Sequence, residues 1–161
     1  MKTLWLSAGL LTAVVLISLT LFLRGNETVS PLKCKAFSRT TIDVQNGPLV
    51  FSIVENLELY NERKEGMIHY NGYVKSPDAN TYFERTIYLS DGVKIDKDTF
   101  TYKINRIVAA PLDTTSDDTF DQMWLENTSD NNTITLNIKN IKEGVFTVSS
   151  PYSLQYTCVK Y

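Results

Sequence analysis

The sequence predicts a mainly β fold: an antiparallel β-barrel or sandwich with one short helix, carried behind an N-terminal transmembrane helix. Three observations predict it. An uncharged run of twenty residues opens the chain, period-two alternation of apolar residues fills most of the remainder, and one segment breaks that alternation with helical spacing.

The opening run comes first. Leu4 to Leu23 contains no charge, and a helix of that length spans roughly 30 Å, the thickness of a bilayer's hydrocarbon core. A cleaved signal peptide would have a shorter apolar core followed by a small-residue cleavage site. Phe22-Leu23-Arg24-Gly25-Asn26 offers none, and Cys34 lies too far past the run for a lipoprotein signal. Residues 1–24 therefore read as a retained anchor, residues 25–33 (GNETVSPLK) as a polar tether, and residues 34–161 as one exported domain. Within the anchor, Gly9 and Ala13 form a small-xxx-small pair that would let a second helix approach closely.

Flanking charge sets the orientation only weakly, because Lys2 and the α-amine face Arg24, Lys33 and Lys35. The two cysteines, Cys34 and Cys158, bracket the domain. Such a pair after an export segment reads as one disulfide, against the alternative of two buried thiols in a reducing compartment. The expected topology is thus a bacterial inner-membrane protein with a cytoplasmic N-terminus and a periplasmic domain. Only Met1, Lys2 and Thr3 would then lie inside, so any activity outside must act locally or pass through a partner that crosses the membrane. Beyond Arg24 the chain has 14 Lys and Arg against 18 Asp and Glu, about −4. That charge disfavours direct nucleic-acid binding.

The domain alternates. Leu49, Phe51, Ile53, Leu57 and Leu59 share one face, as do Ile68, Tyr70 and Val74, then Phe83, Ile87 and Leu89. Phe100, Tyr102, Ile104 and Val108 follow, then Ile134, Leu136 and Ile138, with short apolar segments at 145–149 and 154–161. Turn formers separate them at 61–66, 76–80, 90–92 and 142–144. About seven strands result. Between Asp113 and Leu125, hydroxyl and Asp caps precede Phe120, Met123 and Trp124 at i, i+3 and i+4, which predicts a short amphipathic helix lidding the sheet.

No catalytic constellation emerges, so the chain reads as a non-enzyme without cofactor or metal. His69 is the sole histidine and falls on the polar face of its strand. Asp113, Asp117, Asp118 and Asp121 lack the spacing of a calcium loop and suit the first turn of a helix. The informative anomaly is charge on the inward face. Glu55 interrupts Ile53 and Leu57, Arg85 lies between Phe83 and Ile87, and Arg106 between Ile104 and Val108. A buried charge must be paired, so these three either form an ion cluster or meet a ligand. Their sum of +1 would leave one arginine for an anionic amphiphile. The bland alternative is a bend or a rim position that turns them outward.

Several stretches carry a resemblance: Lys33-Cys34-Lys35, residues 66–72 (GMIHYNG), residues 85–92 (RTIYLSDG), Asp113 through Trp124, and residues 150–158 (SPYSLQYTC). With the single anchor, they resemble the FidL-like membrane proteins of enteric bacteria over nearly the whole chain. The resemblance implies a gene beside a membrane-bound winged-helix regulator of the ToxR or CadC type. It implies a role like that of ToxS-type accessory proteins, whose periplasmic domain stabilises or modulates the regulator's own. Some of those form lipocalin-like barrels that bind bile acids, which would suit an inward arginine. That last step is analogy of fold.

Overall fold

The computed structural model describes residues 31–60, 64–125, 128, 132–151 and 154–161. The expected anchor, with Gly9 and Ala13, lies outside the described residues. Among those that are described, no helix is long and apolar enough to cross a membrane.

Eight antiparallel strands follow one another around a closed barrel in sequence order. They are β1 (Leu32–Val44), β2 (Gly47–Tyr60), β3 (Glu65–Lys75), β4 (Asn80–Lys94), β5 (Thr99–Ala109), β6 (Thr133–Lys142), β7 (Val145–Ser149) and β8 (Leu154–Lys160), with helix α1 (Asp117–Leu125) between β5 and β6. The choice between barrel and sandwich is therefore settled as a barrel. Closure removes most of the sheet edge that a sandwich would leave exposed.

Alternation builds the wall as expected along β2, where Leu49, Phe51, Ile53, Leu57 and Leu59 all face a buried interior. β1 is an addition to the strands read from sequence. Its inward residues Leu32, Cys34 and Ala36 are mostly small, so its periodicity is faint. Residues 90–92, read as a turn, instead lie inside β4 as an irregularity between Ser90 and Val93. Asp91 takes a left-handed φ of 52° there. Gly92 is required beside it, because a Cβ would run into the Tyr102 ring.

Closure is uneven in height. β1 pairs with β8 only at Cys34–Lys160 and Lys35–Val159, and β5 pairs with β6 as far as Lys103–Thr133, with one further bond from the Ile104 N–H to the Asn132 carbonyl at 2.7 Å. Beyond those points β1 and β5 continue without a ladder on that side among the described residues. The Cys34–Cys158 disulfide joins β1 to β8 beside the closing pair, with Cα atoms 5.5 Å apart. α1 lies over the mouth formed by the β1–β2 hairpin and the β3–β4 turn. It packs Phe120, Met123 and Trp124 into the core, with Phe120 against Phe83. Ser116 caps α1 by accepting a hydrogen bond from the Thr119 N–H at 3.2 Å. The strand β1 starts at the opposite end of the barrel from the lid, with Leu32 across from Leu59.

Candidate functional site

The row of residues that crosses β1 to β5 at mid-height carries the inward charges. Ala36 pairs with Glu55, Glu55 with Tyr70, Tyr70 with Arg85, and Arg85 with Ala109. Glu55 and Arg85 both point inward and are buried, at 6% and 5% exposure. They do not meet. Tyr70 stands between them, and no ion pair links them.

Arg85 is held by the lid. Its Nε donates to Asp113 Oδ2 at 3.2 Å, its Nη1 to Asp117 Oδ1 at 2.7 Å and its Nη2 to the Thr115 carbonyl at 2.8 Å. The Phe120 ring lies 4.6 Å from the guanidinium carbon. Asp113 is itself held by backbone donors. Its Oδ2 also accepts the Glu84 N–H at 3.0 Å, and its Oδ1 accepts the Thr115 N–H at 2.7 Å. The Asp113 side chain is 1% exposed, whereas that of Asp117 is 88% exposed. One guanidinium thus clamps β4 to the segment entering α1.

Arg106 is outside the barrel, which corrects its expected inward position. Tyr88 pairs with Arg106 while the next residue, Leu89, pairs with Ile104. Asn105 is the extra residue of a β-bulge, and the bulge exchanges the two faces of β5 from there on. Arg106 therefore lies on the outer wall over the Tyr88 ring, 4.3 Å from its centroid. Val108, also expected inside, is exposed for the same reason.

Glu55 differs from Arg85 in having no compensating charge among the described residues. It accepts a hydrogen bond from Ser38 Oγ on β1, and the described residues contain no cation within ion-pair distance of it. Burial pushes its carboxyl up to about 7, with the Ser38 bond pulling the other way. Tyr70 and Tyr156 are both buried, and burial first, then the Glu55 charge, pushes each phenol well up. The hydroxyls of Tyr102 and Tyr156 and the indole N–H of Trp124 are buried without a hydrogen-bond partner among the described residues. Burial alone pushes Tyr102 up to about 12.

The other singled-out residues occupy plain positions. His69 lies on the outer wall, its Nδ1 2.9 Å from Thr86 Oγ1. Among the described residues no group of three or more His, Cys, Asp or Glu is placed to hold a metal ion. Asp113 and Asp117 serve Arg85 instead. Sequence reasoning missed Asp113 as the buried partner of Arg85, along with Ser38, Tyr70 and Tyr156 around Glu55. An inward arginine signals that some acid must answer it. Which acid, 28 residues away in a segment with four candidates, is decided by how the lid folds back.

Comparison with curated proteins and with solved structures returns no match. One family model matches residues 72–158, from the end of β3 through β4, the lid and into β8, under the description FidL-like putative membrane protein. The match covers more than half of the chain and includes Arg85, Asp113, Asp117 and Cys158, the residues that hold the lid and close the barrel; the chain belongs to the FidL-like family of putative membrane proteins.

Proposed function

We propose that this chain is a non-enzymatic accessory protein of the bacterial inner membrane. Residues 1–24 anchor it as a single span, and its periplasmic barrel binds and modulates a membrane-bound winged-helix regulator of the ToxR or CadC type. Membership in a membrane-protein family carries this reading. The twenty-residue uncharged run supports the anchor. A cystine across the barrel's closing strands supports an oxidising compartment.

The outer wall supports a protein partner. Phe37, Val159 and Tyr161 are exposed at 70%, 55% and 62%. They cluster around Lys35, which pairs with Val159 and sits 5.6 Å over the Tyr161 ring. An exposed apolar cluster beside an incompletely paired strand is a docking surface. The rival reading, a barrel for an anionic amphiphile, loses its counter-ion, since Arg85 is held by two carboxylates and Arg106 points outward.

Co-purification of the detergent-solubilised chain with the regulator encoded beside it tests the proposal. Association that weakens at least ten-fold in Phe37→Glu supports it. No association with any neighbouring regulator, together with unchanged regulator output on deletion, sinks it.

A further inference from the structure

The charge balance inside the barrel is the reverse of the sequence expectation. Arg85 is matched by Asp113, and Arg106 has left the interior, so among the described residues the unmatched inward charge is the carboxylate of Glu55. A carboxylate buried without a cation opposes folding whenever it is ionised. A buried acid left without a matching cation is a candidate for a binding site.

What surrounds Glu55 has the chemistry of a cation site. Tyr70 lies directly across from it on β3. Tyr156 enters the same buried interior from β8, at 7% exposure, and its hydroxyl has no partner among the described residues. Ser38 completes the cluster from β1. Arg85, the next charge along the row on β4, is occupied by Asp113 and Asp117.

The hydrogen-bonded wall is incomplete at the same height. The β1–β8 ladder ends at Lys35, one residue before Ala36, so Ser38 and Thr40 border an unpaired seam. Thr40 pairs with the inward-facing Phe51 and so lies on the inner face, yet it is exposed while Phe51 is fully buried. Solvent therefore reaches the inner face two residues from Ser38.

We propose that the seam between β1 and β8 leads to a binding site for a small organic ammonium ion, with Glu55 as its counter-ion and Tyr70 and Tyr156 as its aromatic walls. Phenol rings attract ammonium through their negative faces, and the free Tyr156 hydroxyl accepts an N–H. An anion would meet like charge, and a neutral guest would leave the carboxylate uncompensated. The inference is independent of the regulator reading.

The test uses the full-length chain in zwitterionic nanodiscs and three probes of one size: n-butylamine, 1-butanol and butyrate, titrated by calorimetry at pH 8. Butylamine is expected to bind saturably, at least ten-fold tighter than 1-butanol, with no binding of butyrate. Glu55→Gln should reduce butylamine to the level of 1-butanol, and Tyr156→Phe should weaken it several-fold, both with unchanged near-UV circular dichroism. With Glu55 titrating at about 7, moving from pH 8 to pH 5.5 should weaken butylamine about 30-fold in the wild type and leave Glu55→Gln flat. The proposal is overturned by the absence of saturable butylamine binding, by equal affinity for amine and alcohol, or by unchanged binding in a folded Glu55→Gln.

Discussion

Replacing Asp113 by alanine should be among the most damaging single changes in the barrel, although the residue sits in a connection. The carboxylate accepts three hydrogen bonds, from Arg85 Nε, the Glu84 N–H and the Thr115 N–H. With Asp113 1% exposed and Arg85 6% exposed, water cannot readily replace it. Arg85 would keep the Thr115 carbonyl and Asp117, but Asp117 is in solvent and screened. Removing one partner of a buried ion pair costs about 3–5 kcal/mol, and each buried N–H left without an acceptor costs about 1–3 kcal/mol. These overlap, so a loss of about 4 kcal/mol is expected, lowering Tm by roughly 10–20 °C. Asp117→Ala removes an equally short bond at 2.7 Å, yet should cost no more than about 1 kcal/mol because that carboxylate is exposed. Urea denaturation of the full chain in detergent, followed by far-UV circular dichroism, measures both. A double-mutant cycle with Arg85→Met should return a coupling energy of at least about 2 kcal/mol. Equal costs for Asp113→Ala and Asp117→Ala, or a loss below about 1 kcal/mol for the former, would refute the argument that burial rather than bond count decides the strength of this clamp.

Three further outcomes follow from the same geometry. Replacing Cys34 and Cys158 by serine releases a loop with a sequence separation of 124 and should cost about 4–5 kcal/mol in the chain-entropy account; a denaturant midpoint unchanged by reductant would contradict it. Glu55, raised from an ordinary 4.5 to about 7 in the fold, contributes stability that is complete below about pH 4.5 and falls as pH rises through about 7. The loss is on the order of 3 kcal/mol by pH 8, so Glu55→Gln should exceed the wild type at pH 8 and match it near pH 4.5. Parallel stability profiles for the two proteins between pH 5 and 8 would exclude that account. Gly72→Ala places a Cβ against the Ser52 carbonyl and 2.8 Å from the Ile53 Cα. Backbone atoms cannot step aside like side chains, so a loss of about 1–3 kcal/mol is expected by thermal unfolding, and full stability would show that β2 and β3 can separate locally.

Much of the architecture was legible in the residues. Period-two alternation along β2, β3 and β6 reports one buried face, because side chains on a strand must alternate between core and solvent. Phe120, Met123 and Trp124 report the lid for the corresponding helical reason. The inward place of Glu55 and Arg85 could be read as well, since each breaks an otherwise apolar face. β1 was faint because its inward residues are small, and residues 90–92 mimic a turn because Asp and Gly serve an irregular strand as readily as a hairpin. What only the tertiary structure decided is where the charges go. A single extra residue, Asn105, turns Arg106 from core to surface, and no alternation in one strand announces that its partner slips by one. Asp113 answers Arg85 only because the segment before α1 folds back over β4. The sequence by itself determined that charges enter the barrel; the folded chain determined that, among the described residues, the arginine is matched and the acid is not, because pairing depends on distances between strands and local periodicity contains none of them.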